Sequence, residues 1–153
     1  MIVYRLAKSK YSSDLSGRGA EKTGGRWNSK GLAMLYTSES RALCTAEIAV
    51  HIPLGIMPKE FKLVSVEIPD SIKIFELSVN DLPKDWNSIP HPGKTQELGD
   101  KFIRENKHVV MKVPSAVVQG DFNYLINSNH EDAKNVKIIK LESFVFDQRM
   151  FLR

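Results

Sequence analysis

Short, strand-length apolar runs set apart by Gly, Pro and Asn constrain this chain more than any other feature. Only two of its segments repeat apolar residues at a helical spacing. Strands are expected over residues 2–6, 32–37, 61–68, 73–77 and 108–113, the third alternating through Phe61, Leu63, Val66 and Ile68. Pro114-Ser115 interrupts the fifth, where a side chain is presented at a strand end. Residues 136–146 read as a late strand region whose alternation is imperfect, so a bend or two strands are expected there. The first helix spans about 41–51, with Ser38 or Ser40 as its cap and Pro53 as its stop. Ala42, Leu43, Ala46, Ala49 and Val50 form its buried stripe, with Glu47 beside that stripe. The second spans 95–107, with Leu98 and Phe102 facing in and Ile103 at the margin. Residues 7–29 read as a long ordered loop, and 122–129 as a turn or short helical segment. Mixed short strands and few helices predict a compact mixed α/β (α+β) domain over residues 1–153.

With 42% apolar residues the 153-residue chain can fill one core, which argues against disorder. A lone Cys44 excludes an internal disulfide and a cysteine-based zinc cluster, and is expected to serve as a small core side chain. His51, His91, His108 and His130 are dispersed and show no His-Glu-x-x-His spacing, so no metal site is expected. No stretch approaches the roughly 18 apolar residues of a membrane span, and no secretory leader is evident, so a cytoplasmic protein without membrane contact is expected. The formal charge is +4, and the excess is wholly N-terminal: residues 1–51 carry eight Lys or Arg against four acids, and the remainder carries fourteen of each. Such a distribution suits a local anion site better than an extended polyanion surface.

The densest chemical pattern is Thr23-Gly24-Gly25-Arg26-Trp27-Asn28-Ser29-Lys30-Gly31, followed by Tyr36. Glycines let backbone approach a ligand, Arg26 offers a planar fork of donors to phosphate or carboxylate, and Trp27 and Tyr36 offer stacking faces. A purely structural loop, with Arg26 in a salt bridge and Trp27 plugging the core, is the competing reading. The run is neither an ATPase-type phosphate loop nor the Gly-x-Gly-x-x-Gly dinucleotide fingerprint. A pyrophosphate would instead need converging guanidinium groups such as Arg5, Arg26 and Arg18.

Gly-Gly-Arg-Trp-Asn-Ser-Lys-Gly, with Tyr36 ten residues after Arg26 and Glu47 eleven after Tyr36, resembles the RES-domain toxins of bacterial toxin–antitoxin systems. Arg5, Ser115 in Val-Pro-Ser, and the stretch from Asn123 to Asn127 look like further family positions, although Ser128 stands where the family pattern has proline. The resemblance implies an ADP-ribosyltransferase-like fold and an intracellular toxin that consumes NAD and arrests growth. It also implies a cognate helix-turn-helix antitoxin, and it accommodates a homodimer. By the same resemblance Arg26, Tyr36, Glu47 and Ser115 are catalytic, and Arg5, Arg26, Trp27, Tyr36 and Asn127 hold the dinucleotide.

Cleaving the nicotinamide–ribose bond of NAD releases a neutral group from a cationic nitrogen, so one carboxylate facing the developing ribosyl cation can suffice. Glu47 is the candidate. Phosphate or water is the expected acceptor, a nearby Lys30 or Arg41 favouring phosphate, and NAD is a substrate rather than a cofactor. The alternatives are a protein ADP-ribosyltransferase, a noncatalytic NAD-binding protein, and a nucleic-acid-binding regulator. The last lacks a helix-turn-helix, zinc-finger or RNA-recognition motif, so direct nucleic-acid binding is not expected.

Overall fold

The computed structural model describes residues 1–152. Seven strands form one mixed sheet in the order β4-β5-β6-β2-β1-β3-β7. They are β1 (Ile2–Lys8), β2 (Leu35–Ser38), β3 (Phe61–Glu67), β4 (Ile74–Glu76), β5 (Val110–Pro114), β6 (Phe122–Ile126) and β7 (Lys137–Phe144). Among the described residues only the β4–β5 pair is parallel. Among the described residues three α-helices accompany it, α1 (Arg18–Thr23), α2 (Arg41–Ala49) and α3 (Gly93–Glu105). The architecture is therefore mixed α/β, with short strands and flanking helices. No helix among the described residues is long and apolar enough to cross a membrane.

The sheet is two half-sheets joined at a narrow seam. β1 pairs with β3 along seven residues, and β2 pairs with β6 along four, whereas β1 meets β2 only at Tyr4↔Ser38. Paired residues share a face of the sheet and successive residues alternate. Tyr4, Leu6, Tyr36, Ser38, Asn123 and Leu125 therefore lie on one face, and Val3, Leu35, Tyr124 and Ile126 on the other. Helix α3 covers the first face over one half-sheet, packing Phe102 and Ile103 against Met111, Val113 and Leu125. Helix α2 covers the same face over the other half, packing Cys44 against Leu6 and Leu63. The seam runs between the two helices. The opposite face is closed by Leu15, Ile72, Ala133 and Val136, Ala133 lying in a 3-10 turn over Glu131–Asn135, with no α-helix there among the described residues.

Several local expectations change. The 7–29 segment is not one loop: β1 continues to Lys8, a 3-10 turn covers Ser9–Tyr11, and α1 forms between Gly17 and Gly24, both at positive φ. Residues 122–126 are a central strand rather than a turn. Tyr124 and Ile126 enter the core of one face and Leu125 that of the other, so burial on both sides erased the apolar–polar alternation that marks a half-buried strand. Residues 137–144 form one strand. Its partner shifts from Lys140 opposite Ser65 to Ile138 opposite Val66, and the extra residue, Ile139, is a bulge that explains the broken alternation. Ser40, not Ser38, caps α2, its hydroxyl accepting the Leu43 N–H at 3.0 Å. The buried line of α2 is Leu43 and Cys44, with Ala42 and Val50 exposed.

Close packing of α3 on the glycine-rich segment requires a glycine in the helix. A Cβ on Gly99 would lie 1.6 Å from the Trp27 carbonyl oxygen, inside the contact distance of any two atoms. Gly99→Ala is expected to lower the unfolding free energy by about 3 kcal/mol, the upper end for an overpacked core, measured by urea denaturation. Gly19→Ala, where nothing lies within 4 Å, is expected to be neutral or stabilising by about 0.5 kcal/mol.

Candidate active site

The glycine-rich segment folds into a tight loop closed by the Gly25 N–H donating to the Asn28 carbonyl at 2.9 Å. Its two central residues part company. Trp27 goes inward, 3% exposed, against Phe102, Met111 and Leu125, with the Trp86 ring 6.5 Å away. Arg26 points outward and donates Nη1 to the carbonyls of Trp86 (2.7 Å) and Ser88 (3.1 Å). Trp27 is thus a core plug and offers no open face for stacking, a correction to the dinucleotide contact expected of it. Arg26 holds no salt bridge among the described residues; its Nε and Nη2 make no hydrogen bond there.

This loop is braced from every side. Tyr36 accepts the Trp27 N–H at 3.1 Å and donates to Asn28 Oδ1 at 2.6 Å. Asn28 Nδ2 donates to the Ala20 and Leu32 carbonyls, and Gln96 of α3 donates to the Gly25 and Asn28 carbonyls. Asp100, buried on α3, accepts both the N–H and the hydroxyl of Ser29. Gly25 is required here, because a Cβ would fall 2.8 Å from the Tyr36 hydroxyl oxygen. Burial lifts the Tyr36 hydroxyl well above the ordinary phenol range, so it stays neutral. Its single proton is committed to Asn28, which suits a brace rather than an acid.

Glu47 leans from α2 across the seam. One turn after buried Leu43, it sits on the inward line of the helix rather than beside it. Its Oε1 accepts from Ser115 Oγ at 2.7 Å and from Asn123 Nδ2 at 2.6 Å. Ser115, directly after β5, accepts the backbone N–H groups of Val117 and Val118 on the same oxygen, both at 3.0 Å. With its lone pairs so used, its hydrogen is left for Glu47. Glu47 makes no pair with His51, and its Oε2 has no hydrogen-bond partner among the described residues. The Arg26 guanidinium lies below its ordinary value, chiefly through burial, with the charge of Glu47 opposing the shift.

Arg5 stands one residue past the Tyr4↔Ser38 pair, where β1 and β2 part. Its Nη1 donates to the Asp14 carbonyl at 2.6 Å, and burial is the largest influence lowering its pKa, opposed by Asp14 and by Cys44, which lies one helical turn before Glu47. Asn127 lies elsewhere. Its Nδ2 donates to Asn106 Oδ1, at the left-handed residue ending α3, and its Oδ1 accepts the Asn129 N–H. Asn123, four residues earlier and so about 13 Å away along an extended strand, holds Glu47 instead. Reading residues 122–126 as a strand would have separated the two asparagines. Arg41 is engaged too, 3.0 Å from Glu142 and stacked over the Tyr4 ring, which leaves Lys30 as the exposed cation on the glycine-rich segment.

A cavity of about 380 Å³ lies on the other face, lined by Leu15, Leu35, Ile126, His130 and Val136 among others. None of the groups around Glu47 lines it.

Residues 2–147 match the RES domain model. The chain belongs to the RES domain family. A "Prs ADP-ribosylating toxin" of Sphingobium sp. (strain YBL2) is 36% identical over 146 residues, spanning 94% of this chain and 91% of that protein. A "Toxin Res" of Yersinia enterocolitica is 36% identical over 152 residues, spanning 98% and 99%. A chain in the crystal structure of the M. tuberculosis MbcT-MbcA toxin-antitoxin complex superposes with a TM-score of 0.73 over 98% of this RES domain and 86% of that chain. At 17% identity that likeness shows a shared fold.

Cys44, one turn before Glu47, has its thiol pushed up to about 12, chiefly by burial. Because its native value lies above the ordinary one near 9, the neutral thiol contributes stability below pH 9 that is lost as pH rises from 9 toward 12. Unfolding free energy is expected to fall over that window, and Cys44→Ala to fall less steeply. At pH 8 a thiol reagent should label the chain only after denaturation.

Proposed function

We propose that this RES domain cleaves the bond between nicotinamide and ribose in NAD, in an ADP-ribosyltransferase-like fold. The observation that carries this reading is Glu47 at the seam: one carboxylate oxygen bound by two donors, the other free, within the electrostatic reach of Arg26. The unengaged Nε and Nη2 of Arg26 would bind the pyrophosphate, since a guanidinium group matches phosphate oxygens in geometry and charge. Glu47 Oε2 would then face the nicotinamide ribose.

As the bond between C1′ and the pyridinium nitrogen breaks, its electron pair goes to nicotinamide, which leaves neutral. Positive charge gathers on the ribose. A carboxylate already fixed beside that centre stabilises the transition state more than the ground state and so lowers the barrier. Water capturing the cation gives ADP-ribose and a released proton; phosphate gives the 1″-phosphate. Ser115 acts here by aiming Glu47, and Tyr36 by holding the loop that carries Arg26.

A second reading, transfer to a protein acceptor, has support in the name of the Sphingobium relative. An antitoxin partner follows by analogy from the relatives that are toxins and from the toxin–antitoxin complex sharing the fold.

Purified chain incubated with NAD in water, with phosphate, or with Prs, and analysed by mass spectrometry, distinguishes these outcomes. Nicotinamide release with ADP-ribose or its phosphate is expected, and modified Prs would favour the second reading. Glu47→Gln, which keeps the side chain's size and removes its charge, should slow release by about 100-fold or more, the scale of a lost electrostatic group in an active site. Undiminished release by that variant would overturn the role of Glu47, and no nicotinamide under any of the three conditions would overturn the function.

A further inference from the structure

We propose that Ser38 is a positioning residue for the reaction, acting on Glu47 through the Asn123 amide; this rests on the functional reading given above. Ser38 is 4% exposed and is the residue at which the seam closes, paired with Tyr4 on one side and with Asn123 on the other. Its hydroxyl donates to Asn123 Oδ1 at 2.8 Å. The same amide donates from Nδ2 to Glu47 Oε1 at 2.6 Å.

An asparagine amide has two nearly isosteric orientations, and only one presents N–H to a carboxylate. The flipped orientation would set Oδ1 against Glu47 Oε1, two acceptors with no hydrogen between them. Glu47, an acceptor only, selects the donating orientation, and Ser38, by giving its hydrogen to Oδ1, restrains the amide from its far side. Ser115 is restrained in a comparable way by the Val117 and Val118 N–H groups. Glu47 thus receives two hydrogens whose directions are set by groups behind them, and the unbonded Oε2 is aimed as a consequence.

The two residues after Ser38 strengthen this arrangement. Glu39 exchanges bonds with the start of β6, its N–H donating to the Phe122 carbonyl (3.2 Å) and its Oε1 accepting the Phe122 N–H (2.9 Å), next to Asn123. Ser40 caps the helix that carries Glu47. Three consecutive residues therefore fix the amide, its strand and the helix opposite. Ser38 is buried and its one hydrogen is given to Asn123, so its influence passes through that amide.

The test is steady-state nicotinamide release, with the acceptor that supports turnover of the parent chain, by Ser38→Ala, Asn123→Leu and the double variant, with folding followed by circular dichroism. Ser38→Ala is expected to lower kcat roughly tenfold, since small misplacements of a catalytic group cost this much or more, while KM for NAD stays within about twofold. The double variant should be no slower than Asn123→Leu, because Ser38 acts only through the amide. Parent-like kcat in Ser38→Ala, or multiplicative losses in the double variant, would overturn the proposal. If Ser38→Ala does not fold, Asn123→Leu decides alone: a fall in kcat at constant KM supports the relay, and unchanged kcat refutes it. Full turnover by Glu47→Gln would overturn the role of Glu47 and the relay together, and no nicotinamide release by the parent chain would overturn the functional reading, whereas loss in Glu47→Gln with intact Ser38→Ala and Asn123→Leu refutes only the relay.

Discussion

The bond from Asn123 to Glu47 is the contact on which the rest of the site depends. Helix α2 is anchored by Cys44 in the core of one half-sheet, yet its carboxylate is bound by residues of the other half, Asn123 on β6 and Ser115 after β5. The two halves share a single backbone pair at the seam, so side chains supply much of what holds them in register there. A carboxylate at such a junction is stabilised by charge-assisted hydrogen bonds, roughly twice as strong as neutral ones. The same bonds leave its second oxygen unengaged among the described residues, where the proposed reaction would use it.

Arg26 is held by a different device. Its loop has little freedom: Tyr36, Asn28, Gln96 and Asp100 use their hydrogen-bonding capacity on loop backbone and on Ser29, and Trp27 is driven into the core beneath. The consequence is a cation presented on a rigid ledge, half-buried and partly desolvated. Preorganisation of this kind matters more to catalysis than the number of charged groups, because nothing need reorient as charge develops on the substrate.

Much of this was legible in the sequence, and the failures have physical causes. Arg26, Tyr36, Glu47 and Ser115 stood out as a set, and the structure brings Glu47 and Ser115 into contact with Arg26 and Tyr36 nearby. Trp27 could not be separated from a stacking residue by composition, since an aromatic in a glycine-rich loop looks the same whether it turns in or out. Asn123 was passed over for Asn127 because residues 122–126, buried on both faces, lack the alternation that reveals a strand. Ser38 carried only the signal of a helix cap, a role that Ser40 fills. Relations between elements distant in the chain, such as the seam and the amide relay, have no local pattern to betray them.

The most direct trial of the central claim is a crystal structure of the Glu47→Gln chain with intact NAD. We expect the pyrophosphate on the free nitrogens of Arg26 and the nicotinamide ribose against residue 47, at the seam between β1 and β2. A dinucleotide bound away from both residues, for instance in the cavity beside Leu15 and Val136, would contradict the account.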